Sequence, residues 1–219
     1  MIEKTRVVYQ APVGAVIWNM IPAGADRIII EERNEHTRQV SIVCLTATGT
    51  LRWRNTNLPD SWWINLNGVT ATHVILHQFE NTSNPDQVKL IALQVDTGQE
   101  VAVPVQFEYT IEALRPFVYV QGEPDFETVQ KFLRQQLNQE IFLGAEYLET
   151  ENLILISYYT GQPAAYINKL ACFSHKGLLY WTEEIGTNLK GMGIGTFFIA
   201  TNTVFFVKNK TDLVTFRIV

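Results

Sequence analysis

At 219 residues the chain can bury roughly 70% of its unfolded surface, so folding needs no metal or disulfide staple. Its 17 basic residues against 22 acidic ones leave a formal charge of −5, which argues against nucleic acid or an anionic membrane as principal partner. Hydrophobic content of 47% with 18% charged residues excludes a disordered polypeptide.

The first strand candidate is residues 5–9. An uncharged stretch runs from Val7 to Ala25 and ends in Ala23-Gly24-Ala25, but Gln10, Pro12, Asn19 and Pro22 interrupt it. Glu3 also sits in the would-be basic region, so a cleavable signal peptide is not expected. Three later segments share one pattern of apolar strand, polar turn ending in glycine, and second strand: 43–49, 92–98 and 171–177. Leu51 and Trp53 after the first turn match Leu179 and Trp181 after the third. A closing glycine suits a turn position with φ > 0. Each hairpin follows two further strand candidates: 16–21 and 27–31, 62–66 and 73–77, 142–148 and 153–157. The unit is a four-stranded antiparallel meander with a period of about 45 residues, that of a propeller blade.

The interval between Gly98 and Gly177 is too long for one unit. It holds an irregular strand pair, 107–112 and 116–121, and then a helix over residues 125–139. Phe126, Val129, Phe132, Leu133 and Leu137 fall on one face of that helix, with Asp125 as its N-cap and Glu127 near the positive end of the dipole. This reads as a degenerate blade whose outer part is replaced by a helix. The last unit offers three strands, 196–200, 204–208 and 213–218, so residues 5–9 supply the fourth and close the ring. The expected fold is all-β: one β-propeller-like domain over residues 1–219, with about five four-stranded blades, one of them degenerate. Four blades with an appended helix is the next choice. A β-sandwich is a third, since it leaves the Gly-x-Leu-x-Trp spacing unexplained.

The turn at residues 92–98 resembles the blade hairpin of quinoprotein-type propellers. A wider resemblance is carried by Leu58-Pro59-Asp60-Ser61-Trp62-Trp63, Arg115-Pro116-Phe117-Val118-Tyr119, Ile156-Ser157-Tyr158-Tyr159, Asn168-Lys169-Leu170 and the run from Gly193 to Ile199. In these pieces the chain resembles an uncharacterised bacterial family of propeller-like proteins, a domain of unknown function found chiefly in Bacteroidetes. That resemblance implies architecture but no activity, and the quinoprotein cofactor site has no counterpart here.

Few residues point to chemistry. Cys44 and Cys172 occupy the repeat slot that Leu93 fills in the second unit, so both are expected as reduced core thiols, which fits a cytoplasmic protein. His73 and His77 share a strand face but stand roughly 13 Å apart, too far for one metal, so no metal ligand is assigned. Gly191-Met192-Gly193-Ile194-Gly195 precedes a strand rather than a helix, and reads as a tight strand entry rather than a phosphate loop. Acidic pairs such as Glu31-Glu32, Glu149 with Glu151, and Glu183-Glu184 are expected at solvated strand ends. No catalytic motif and no cofactor site is found, so an enzyme is not favoured. The aromatic pairs Trp62-Trp63 and Tyr158-Tyr159 are expected on strands, one ring on each face. The outward member of each pair is a candidate contact for a protein or peptide partner. The first reading is therefore a non-enzymatic binding or scaffold module. The second is an enzyme or small-molecule sensor using a central funnel. The first strand of each unit carries few polar residues, Asn19 and Asn65 among them, and that scarcity favours the first.

Overall fold

The three glycine turns read from the sequence are hairpin turns in the computed structural model, which describes residues 5–80, 84, 86–110 and 113–218. Gly49, Gly98 and Gly177 have φ of 89°, 70° and 79°, a region that side-chain-bearing residues rarely adopt. Their N–H groups donate back to Thr46, Gln94 and Ser174.

β1 (Arg6–Gln10) precedes a meander of β2 (Ala15–Pro22), β3 (Arg27–Asn34), β4 (Gln39–Thr46) and β5 (Leu51–Asn55). A second meander holds β6 (Ile64–Val69), β7 (His73–Phe79), β8 (Val88–Gln94) and β9 (Glu100–Val101). Then come β10 (Phe117–Val120), α1 (Pro124–Leu137), β11 (Phe142–Glu149), β12 (Ile154–Gln162), β13 (Ala165–Phe173) and β14 (Leu179–Leu189). β15 (Phe197–Ala200), β16 (Thr203–Lys208) and β17 (Asp212–Arg217) end the series. Each of the first three sheets pairs its strands in chain order, and the fourth runs β1-β17-β16-β15. The N-terminal strand thus completes the last sheet, as strand counting requires. Gln10 Nε2 donates to Asp212 Oδ1 at 3.0 Å beside this pairing.

The described residues form four sheets, not about five. The stretch expected to hold a degenerate blade contributes only β10, which adds a fifth strand to β11–β14. Residues 102–110 form no strand, and Ile111 and Glu112 of the expected pair lie outside the described residues. The repeat itself holds at residue level. Cys44 pairs with Trp53 and Leu45 with Leu51, while Cys172 pairs with Trp181 and Phe173 with Leu179, with the same register shift between each two.

By contact the chain divides into two compact units. One holds Val7–Ala113 with Lys210–Leu213; the other holds Leu114–Asn209 with residues from both termini. In the first, Ile29, Cys44, Leu66, Val74, Leu76 and Leu93 belong to one buried cluster drawn from both meanders. In the second, Leu155, Leu170, Cys172, Phe197, Phe206 and Phe216 form one core, and α1 lays Phe126, Val129 and Leu133 on the opposite face of the five-stranded sheet. The apolar face of α1 is the one its periodicity predicts. Its N-cap, however, is Glu123 rather than Asp125, because Pro124 takes the first helical position, where a missing N–H costs nothing. Glu123 accepts a hydrogen bond from the Val120 N–H at 2.9 Å.

A recurrent irregularity marks one strand in each of the first three sheets, β2, β6 and β11. The register skips Trp18 in β2, Asn67 in β6, and Leu143 and Gly144 in β11. Such bulges bend a strand and re-aim the skipped side chain.

Candidate binding surface

Trp62 and Trp63 do not lie on a strand. The Leu58-Pro59-Asp60 approach puts Asp60 at φ 47°, and the Trp63 N–H donates to the Asp60 carbonyl at 3.1 Å, closing a 3-10 turn over Ser61–Trp63. Ser61 anchors this turn, since its hydroxyl accepts the Val40 N–H at 3.0 Å. The turn sends Trp62 against the first unit's core and leaves Trp63 43% exposed.

Arg33 organises the surroundings. Its guanidinium carbon lies 5.0 Å from the Trp18 ring centroid and 5.5 Å from that of Trp62, both within cation–π range. Arg33 Nε donates to Glu31 at 2.6 Å, and Nη2 donates to the Ile64 carbonyl and to Asn65 Oδ1 at 2.8 and 2.7 Å. Glu31 in turn accepts the Leu66 N–H at 2.7 Å. Trp18, the skipped residue of β2, is 61% exposed. The result is a nearly neutral patch in which a fixed cation backs two indoles. Sequence reading missed Trp18 and Arg33. Glu31 and Arg33 stand two apart on one strand and so share a face, which is the signal that could have found the pair.

The acidic pair Glu31-Glu32 is a further correction, because both carboxylates are buried in mid-strand rather than solvated at an end. β3 runs on to Asn34 with both faces covered, and each carboxylate has an arginine partner. Glu32 accepts from Arg54 and from the Tyr9 hydroxyl. Burial, together with Glu32, pushes the Tyr9 phenol up to about 12.

Residues 21–101 match the family model of a domain of unknown function, DUF4905. The match begins within β2 and ends with β9, so it holds Glu31, Arg33, Trp62 and Trp63 but not Trp18. No curated protein and no solved structure matches the chain.

Tyr158 and Tyr159 are not surface groups. Both are buried, because β12 is an inner strand covered on its two faces. Tyr158 packs under α1, where burial pushes its phenol up to about 12. Tyr159 points the other way, and its hydroxyl accepts the Gly193 N–H at 2.8 Å. The glycine-rich run does cradle an anion, but an internal one: the N–H groups of Gly195 and Thr196 and the Thr196 hydroxyl all donate to the buried Glu146 carboxylate. Cys44 and Cys172 are buried and unpaired, and burial pushes their thiols up to about 11 and about 12. Neither is poised as a nucleophile.

Proposed function

We propose that this chain is a non-enzymatic binding module of a bacterial cytoplasm, recognising a peptide segment of a protein partner through Trp18, Trp62 and Trp63. Successive meanders of four or five strands, with the N-terminal strand in the last sheet, support a propeller-like arrangement for it. The two unpaired thiols agree with a reducing compartment. One observation carries the binding reading: the exposed indole of Trp18 and the core-backed indole of Trp62 flank an arginine already fixed by four acceptor contacts, and the next residue along the chain, Trp63, is exposed as well. Tryptophan and arginine dominate the energetics of protein interfaces, and a pre-ordered patch loses little entropy on docking.

A displayed random-peptide library selected on the whole protein tests this. Synthetic peptides from that selection should lose about tenfold or more in affinity against Trp18→Ala and against Trp63→Ala. Melting curves of both variants should match the parent, because the two rings are exposed. Peptides that hold their affinity to both variants would remove this surface from consideration.

A further inference from the structure

The second unit contains a cleft of about 320 Å³ between α1 and the sheet face of β10, β11 and β12. Tyr119, Tyr147 and Phe132 supply aromatic walls, Val129, Ile154 and Ile156 an aliphatic floor, and Asp125 and Thr128 line it from the helix. The Tyr119 and Tyr147 rings stand 6.2 Å apart at 32°, and Phe132 is held edge-on by Phe173 at 5.0 Å. Tyr147 is fixed by donating its hydroxyl to Glu149 at 2.7 Å. Tyr147 and Phe132 are therefore held in place around the space, with the Tyr119 ring beside Tyr147.

Charge decides what such a space accepts. Among the described residues, the Asp125 carboxylate is the one formally charged group lining the cleft, and no lysine or arginine lines it. The positive end of the helix dipole would oppose a cation, but it amounts to about half a charge. Against it stand Glu123, Asp125 and Glu127, the N-cap and the acidic residues of the first turn. Aromatic faces are electron-rich and attract cations most strongly where water is excluded.

We infer that this cleft binds a small organic ammonium ion, its alkylated nitrogen held among Tyr119, Tyr147 and Phe132 with Asp125 as counter-charge. The site lies in the other compact unit and shares no residue with the tryptophan surface, so it goes beyond the peptide reading and can fail independently of it.

Calorimetric titration of the whole protein with choline, and with 3,3-dimethylbutanol as its uncharged isostere, tests the assignment. Choline should bind at least tenfold more tightly than the alcohol. Asp125→Asn and Tyr119→Leu should each weaken choline several-fold while leaving the melting curve close to the parent's. Equal affinity for the two probes would make the cleft an apolar pocket and overturn the inference. Absence of choline binding, or choline binding indifferent to both variants, would overturn it as well. A destabilised Tyr119→Leu would shift the decision to Asp125→Asn, whose carboxylate is exposed and outside the core.

Discussion

Gly98 and Trp53 show how a single position serves both turn and core. A Cβ on Gly98 would lie 2.4 Å from the Trp53 ring, and the backbone there is left-handed. Trp53 cannot retreat freely, because its indole N–H donates to the Val95 carbonyl at 2.9 Å. Gly98→Ala should therefore cost about 2–4 kcal/mol in urea unfolding, strain and overpacking together. Gly24→Ala is the matched control: its φ of 73° is similar, but nothing lies within 4 Å of the new methyl, so about 1 kcal/mol is expected. Equal losses would show that the ring contact contributes nothing. The buried acids add a pH effect of fixed sign. Cys44, Cys172, Tyr9 and Tyr158 all hold their protons more firmly folded than unfolded. Their contribution is whole below the ordinary values, 9.0 for thiols and 10.0 for phenols, and drains away as pH climbs toward 11 and 12. The melting temperature should fall progressively across pH 9–12, and a level profile would refute the assignment. At this scale the thiols were legible because a repeat slot that accepts leucine is a core slot. Trp62 and Trp63 were not, since two consecutive aromatics fit a strand and a 3-10 turn equally well. Glu31 and Glu32 were misjudged because the arginine that neutralises Glu32, Arg54, stands on another strand.

Between elements, two buried carboxylates do similar work in the two units. Glu31 of the first sheet receives the Leu66 N–H of β6, and Glu146 of the third receives the Gly195 and Thr196 N–H groups ahead of β15. Each ties a meander to the opening of the next. Glu146→Ala strands two N–H donors, at about 1–3 kcal/mol for each that stays dry, while the Thr196 hydroxyl keeps Ser157 Oγ as an acceptor, so a loss of roughly 2 kcal/mol or more is expected in urea unfolding. Glu146→Gln keeps one acceptor oxygen and should lose less. A Glu146→Ala variant as stable as the parent would show that water or a rearranged loop replaces the carboxylate. The strands themselves were legible from period-two alternation and closing glycines. The glycine run was only half legible, because the anion it holds is brought from β11, a strand far off in sequence.

Across the whole chain, what strand counting and repeat spacing recover is the order of meanders and the return of the N-terminal strand to the last sheet. The number of sheets escaped, since dividing length by a period counts loop and helix as though they were strand. Removing residues 1–10 should lower the melting temperature sharply, because β17 would become an edge with unpaired N–H and C=O groups. An unchanged melting temperature would mean that β1 adds nothing to the sheet. The same pairing joins Gln10 to Asp212, 202 positions later. On a ribosome adding about 5–20 residues per second, the earliest strand waits roughly 10–40 seconds for its neighbour to emerge. During that delay Val7, Val8 and Tyr9 form a sticky, unpartnered ribbon on the nascent polypeptide, which makes this segment the place where chaperone capture or mispairing would begin.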